Sequence, residues 1–199
     1  MRIQVTIERL SPLLMNRFTD EHAGDANTST HSPSPASSPL ELTSRAAYRD
    51  EKTGELYIPG LNIFSALVEA GSFHMLGTRS VTTRRSSLVP QSLRIVEFTI
   101  PLNTSSFAVD SRRVRNRRTR ELEMCHRARV DSWKATFHLD IDETFPRDLA
   151  RDLVDTAGNC VGLGDFRPSR SGPFGRFAVS QWQAAAGLGP AASKAGDRM

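Results

Sequence analysis

Cysteine is nearly absent from this chain: Cys125 and Cys160 are the only two in 199 residues, and together they form no motif. Usage that sparse argues against a disulfide scaffold and fits a reducing compartment. Long apolar runs are also missing. No stretch approaches the ~18 residues that a membrane span needs, and Met1-Arg-Ile-Gln-Val lacks the apolar core of a signal peptide. A cytoplasmic chain with no membrane partner is expected. No His/Cys spacing suggests zinc, no paired carboxylates stand out, and no Gly-Lys-Ser/Thr occurs, so no metal and no cofactor is expected. The hydrophobic fraction, 38%, is low for a compact domain. Part of the chain should therefore stay unpacked.

What is present begins with alternation. Ile3, Val5 and Ile7 alternate with Gln4, Thr6 and Glu8, the pattern of a half-buried strand. Residues 20–39 then change to Ala, Gly, Asn, Ser, Thr and Pro, which can bury little, and read as a mobile insertion. A turn at 50–54 and a short apolar piece at 56–60 lead into a helix near Leu61. Asn62 is its candidate N-cap, Ile63, Phe64, Leu67, Ala70 and Phe73 its buried stripe, and Gly77 its stop. A polar, basic loop over 78–87 and a strand over 93–102 follow.

The clearest strand signal runs from Trp133 to Ile141, alternating with Lys134, Thr136, His138 and Asp140. A second helix follows, with Thr144 as a cap, Pro146 in its first turn, Leu149, Leu153 and Val154 inward, and Gly158 at its end. A last strand over 174–182 precedes a frayed tail, 184–199. The order β-α-β-β-α-β predicts one α+β domain over 1–183, ferredoxin-like (RRM-like), with insertions after strand one and over 103–131. Such a sheet is a common RNA platform, although fold alone does not fix function.

Charge points the same way. Net charge is +4 and the pI near 9.6, which suits a polyanionic partner. Eight arginines crowd residues 112–129: Arg112, Arg113, Arg115, Arg117, Arg118, Arg120, Arg127 and Arg129. That window holds no lysine, and only Glu121 and Glu123 oppose it. A guanidinium fork pairs phosphate oxygens two at a time and stacks on bases, which an ammonium cannot do. A solvated basic loop or a grip on an acidic protein are the competing readings. The second segment is a glycine-rich loop over 158–177. Gly162 and Gly164 allow close backbone approach to a ligand, Arg167, Arg170 and Arg176 add charge, and successive amides can form an anion nest. A purely structural loop between helix and strand is the plain alternative.

These two segments, together with Leu56-Tyr-Ile-Pro-Gly60, resemble the RAMP superfamily of CRISPR proteins, and most of all the repeated backbone subunits of Cascade-type and type III effector complexes. The resemblance implies a ferredoxin-like palm carrying an inserted thumb. It further implies guide RNA (crRNA) as ligand, neighbouring copies of the chain and other effector subunits as partners, and a target DNA or RNA reached by base pairing to the guide. Arg45 and Arg49, in the stretch leading to Gly60, join the RNA-facing set on this basis. In type III subunits an aspartate about six residues before the position of Asp50 cuts target RNA. Here that place is held by Ser44, so guide binding without cleavage is expected.

The competing reading is a guide-processing endoribonuclease of the same superfamily, which needs an imidazole near the scissile 2′-hydroxyl. Of His22, His31, His74, His126 and His138, the best candidate is His126, among the arginines. His138 reads as an exposed strand residue, and Asp140 and Asp142 as solvated carboxylates. A basic DNA-binding or scaffolding module is the third class. Phe107 is a candidate for base stacking; Trp133 suits the core better.

Overall fold

A computed structural model of the chain describes residues 1–17, 38–115 and 120–185. β1 (Arg2–Arg9) buries Ile3, Val5 and Ile7 completely, as its alternation predicts. β2 (Leu13–Met15) follows after a bend. The insertion expected over 20–39 lies outside the described residues as far as position 37. Its last two residues are helical in role: Ser38 and Glu41 form a capping box, and Pro39 opens α1 (Pro39–Ala46).

β3 (Tyr57–Pro59) leads into α2 (Gly60–Ala70), whose buried stripe includes Ile63, Leu67 and Ala70. Asn62 does not cap this helix. Pro59 stands at the cap and Asn62 lies one turn inside. Phe73, expected inward, is 63% exposed, because the tight turn Gly71–Phe73 carries it off the stripe. Gly77 ends no helix; it turns a small hairpin of β4 (Met75–Leu76) and β5 (Arg79–Ser80).

A short helix α3 (Val89–Ser92) precedes β6 (Leu93–Ile95) and β7 (Thr99–Pro101). The single strand expected over 93–102 is thus two, because β6 pairs with the main sheet and β7 with β3. The weakly patterned 103–131 segment supplies an antiparallel pair of strands, β8 (Ala108–Arg115) and β9 (Leu122–Val130). β10 (Lys134–Ile141) matches the predicted third strand. Pro146, not Thr144, caps α4 (Arg147–Thr156); Thr144 bonds Asp142 instead. Gly158 does not stop this helix. The chain winds on through a π-turn, Ala157–Val161, and breaks at Gly162, where φ is +76°. β11 (Phe177–Ala184) closes the fold; Phe174, expected to open it, sits in the preceding loop. Ala184, assigned to the tail, is its last residue, and 186–199 lie outside the described residues.

The main sheet runs β11-β1-β10-β6, all antiparallel. Counted as strands of the predicted motif, that is the order four, one, three, two of a ferredoxin-like fold. Ile3, Val5, Ile7, Phe137 and Leu139 share one core with Ile63 and Leu67 of α2 and Leu153 and Val154 of α4. A second sheet, β2-β9-β8, carries the arginine hairpin, and α1 packs against both of its long strands.

Candidate nucleic-acid interface

The hairpin register decides what each arginine can reach. Directly opposed residues of an antiparallel pair share a face. Asp110 opposes Arg127 and Arg112 opposes Cys125, so these four share one side. Ser111, Arg113 and Arg115 share the other with His126, Met124 and Leu122.

The first face is turned to the glycine-rich loop. Arg127, 8% exposed, bonds the Asp165 carboxylate of that loop through Nε. Asp165 also accepts from the Phe166 amide at 2.8 Å and from Asn16 Nδ2 at 3.4 Å. Burial pushes the Asp165 carboxyl up, but the Arg127 bond and charge, with the amides of Phe166 and Asn16, pull harder and hold it below the ordinary aspartate range. Arg112 is forked onto the buried Asp110 at 2.7 and 2.9 Å and lies 4.9 Å above the Phe174 ring. Burial raises the Cys125 thiol, against the nearby Arg127 charge.

The arginines therefore divide. Arg112, Arg127 and Arg129, which pairs with Asp131, are held by carboxylates of the chain itself. Arg113, Arg115 and Arg120 are exposed, and no ion pair ties them to a described residue. Arg117 and Arg118 lie outside the described residues. In the loop, Arg167 bonds the Gly164 carbonyl at 3.1 Å and Ser169 Oγ at 3.0 Å, and Arg176 bonds the Asn159 carbonyl. Arg170 is exposed. Arg49 is spent locally as well: it donates to the carbonyls of Gly54 at 2.5 Å and Ser105 at 2.9 Å and covers Phe107. Arg45 is exposed in the last turn of α1, one residue after the exposed Ser44.

The loop glycines answer to the protein's own backbone. At Gly164, with φ +73°, a Cβ would stand 2.3 Å from the Leu14 carbonyl oxygen, while the next amide, of Asp165, bonds that same oxygen at 2.8 Å. At Gly175 a Cβ would lie 1.9 Å from the Leu163 carbonyl. The close approach these glycines allow is thus used to lay the loop on β2 and to fold it on itself.

Beside the loop is a cleft of about 340 Å³, lined by Asn16, Tyr48, Asn62, Ser65, Gly162–Asp165 and Arg167. Asn16, Tyr48 and Ser65 carry no signal of their own in the sequence, and Asn62 has the chemistry of a cap. They come from the end of β2, the approach to β3 and the first turns of α2, and only folding gathers them. The cleft offers amide, hydroxyl and guanidinium donors, the set that binds phosphate and sugar oxygens.

The main sheet offers less. On its face away from α2 and α4, Arg2 and Arg94 close on Asp140, Lys134 pairs with Glu8 at 2.8 Å, and His138 Nδ1 pairs with Glu97 at 2.5 Å. Asp140 is thus clamped, not solvated; the Arg2 bond, against partial burial and aided by Arg94, lowers its carboxyl to about 2. Every charge there has a partner, and no aromatic ring alternates with them. Trp133 is 3% exposed, with Nε1 on the Ser11 carbonyl, so it stacks on no base. His126 Nδ1 contacts Ser111 Oγ at 2.8 Å, and His74 Nε2 contacts Thr156 Oγ1 at 2.7 Å. His22 and His31 lie outside the described residues. Among the described residues no cluster of three or more His, Cys, Asp or Glu is placed to hold a metal, and no helix is long and apolar enough to cross a membrane.

No family model matches the sequence, and no curated protein matches it significantly. The fold has solved counterparts. One is a chain of a cryo-EM structure described as the type III-B Cmr-β bound to cognate target RNA, with a TM-score of 0.52 and 13% identity. The likeness covers 92% of this chain and 59% of that one, so the present chain spans about three fifths of the length of its counterpart.

Proposed function

We propose that this chain binds a guide RNA as a noncatalytic backbone subunit of a CRISPR effector complex, repeated along the RNA beside other effector subunits. One observation carries the reading: the Arg127–Asp165 bond joins the arginine hairpin to the glycine-rich loop, and Arg113 and Arg115 are left on the hairpin's other face. One hand of the site is internally neutralised. The other carries guanidinium groups with no carboxylate of the described chain upon them, and their self-repulsion is relieved by a polyanion. The shared fold with a subunit chain of an RNA-bound Cmr complex supports the same reading.

Grip by phosphate contacts implies affinity that depends little on base sequence and falls steeply with salt. The cleft between Asn62, Tyr48 and the loop supplies neutral donors for one sugar-phosphate unit, fixing its register while the hairpin arginines supply charge. Ser44 offers no carboxylate at the position that cuts in type III subunits, and His126 has a serine hydroxyl, not a second acid or base, as its hydrogen-bond partner.

Sequencing the nucleic acid that copurifies with the expressed chain tests this. RNA of uniform length is expected. Duplex DNA, or no nucleic acid together with no affinity for added RNA, would overturn the reading. Metal-independent cutting of a repeat hairpin, lost in His126→Ala, would replace it with the processing enzyme.

A further inference from the structure

The segment after α2 is not used by the site described above. Residues 70–96 contain no aspartate or glutamate at all, yet hold Arg79, Arg84, Arg85 and Arg94. Arg94 is spent on Asp140. Arg79, Arg84 and Arg85 are exposed, and none is paired with a described carboxylate. Among them stand Phe73 at 63% exposure, Met75 at 57% and Leu76 at 36%.

This surface is held firmly. Val81 is buried and its amide bonds the His74 carbonyl at 3.0 Å, and the Thr82 amide bonds the Gly71 carbonyl at 3.0 Å. A Cβ on Gly71 would come within 2.3 Å of Thr82 Oγ1. A two-stranded hairpin this short has no independent stability. Here the fold anchors it at the base, so Met75 and Leu76, with Phe73 of the turn before them, are presented to solvent on a fixed support.

We infer that this segment is a second single-stranded RNA contact, with Arg79, Arg84 and Arg85 on phosphates and Phe73 against a base. The inference rests on the RNA-binding reading above and extends its site. Charge selects an anion, because three unpaired guanidiniums lie in a stretch without one acidic residue. Continuity selects the same strand that enters the cleft. α2 lines the cleft with Asn62 and Ser65 and ends at Ala70, about 12 Å beyond Asn62 and about 8 Å beyond Ser65 at 1.5 Å per residue. Along that path the loop touches the last turn of α2: Ser169 Oγ donates to Glu69 at 3.3 Å and Arg167 lies 3.6 Å from it, with the exposed Arg170 next in sequence. Cleft, loop and hairpin are thus linked through α2. Phe73 supplies what the sheet and the buried Trp133 do not, an exposed aromatic ring in an arginine-bearing segment.

The test measures binding of fluorescein-labelled single-stranded RNA, one probe of about 30 nucleotides and one of about 6, over a salt series; both lengths are design choices. The triple variant Arg79→Glu/Arg84→Glu/Arg85→Glu should bind the long RNA at least ~10-fold more weakly, with a salt slope shallower by about 2, and should bind the short RNA as the parent does. Phe73→Ala should weaken long-RNA binding without changing the slope. All four side chains are exposed, so circular dichroism and thermal midpoint should not move. Unchanged affinity and slope for the triple variant, while Arg113→Glu/Arg115→Glu loses binding, overturns this inference alone. Failure of the parent to bind either RNA overturns both readings. Loss of an acidic protein partner by the triple variant, with RNA binding intact, would reassign the surface to that protein.

Discussion

The Arg127 guanidinium on β9 is bonded to the Asp165 carboxylate of the glycine-rich loop, across 38 positions of sequence. This contact turns two separately suggestive segments into one site. It also explains why Arg127 is buried among arginines that are mostly exposed: the carboxylate offsets its desolvation.

Breaking that pair should cost stability. Arg127→Ala leaves Asp165 partly buried beside the amides of Asn16 and Phe166, and a loss of about 2–4 kcal/mol is expected from urea denaturation. Replacing both residues with apolar ones of similar volume should recover part of it. A double-mutant cycle gives the coupling.

Neighbouring arginines should behave oppositely. Arg112→Ala uncovers the buried Asp110 and the Phe174 ring, so a stability loss of about 1–2 kcal/mol is expected. Arg113→Ala, on the exposed face, should leave the thermal midpoint unchanged. The RNA phenotype should be reversed: Arg113→Glu/Arg115→Glu should lower affinity at least ~10-fold and reduce the salt slope by about 1.4. Fluorescence anisotropy across a salt series separates the two.

The loop glycines are expected to be structural. Gly164→Ala places a methyl against the Leu14 carbonyl at positive φ, and should destabilise by about 2 kcal/mol or more. Gly77→Ala has open space at its Cβ, so only the cost of φ +61° applies, about 1 kcal/mol. Comparing thermal midpoints of the two variants isolates the contact from the backbone strain.

Acid should weaken the main sheet through Asp140. Its folded pKa lies below the unfolded value, so the stabilisation is complete above about pH 4 and is lost as pH falls towards about 2. With Asp140 mostly shielded, the contribution at neutral pH is about 1–2 kcal/mol. Asp140→Asn should remove that pH dependence, checked by urea midpoints at pH 7, 4 and 3, values chosen to bracket the transition.

Several elements could be read without coordinates because one local rule governs each. The alternation of Ile3, Val5 and Ile7 and of Ala135, Phe137, Leu139 and Ile141 can bury only one face, so strands and their inward sides follow from period alone. With two helices between them, the ferredoxin-like order follows too. Cap residues were harder to read. Asn62 and Thr144 have the right chemistry, but in each case a proline two or three residues away takes the cap, and the competition is settled by where the incoming chain is held.

The arginine-rich segment shows the boundary most clearly. Composition determined that this chain carries a concentrated guanidinium charge and a glycine loop. It left open which arginines face outward. That was decided by the pairing of β8 with β9, which puts Arg112 and Arg127 on the side of Asp110 and Asp165 and turns Arg113 and Arg115 away. Like residues in one run differ in role because a strand alternates sides every residue, and only the tertiary fold brings the partly buried Asp165 carboxylate to Arg127. The cleft of Asn16, Tyr48, Asn62 and Ser65 has the same origin: its residues are distant in sequence, carry no shared period, and meet only once β2, α2 and the glycine loop have packed.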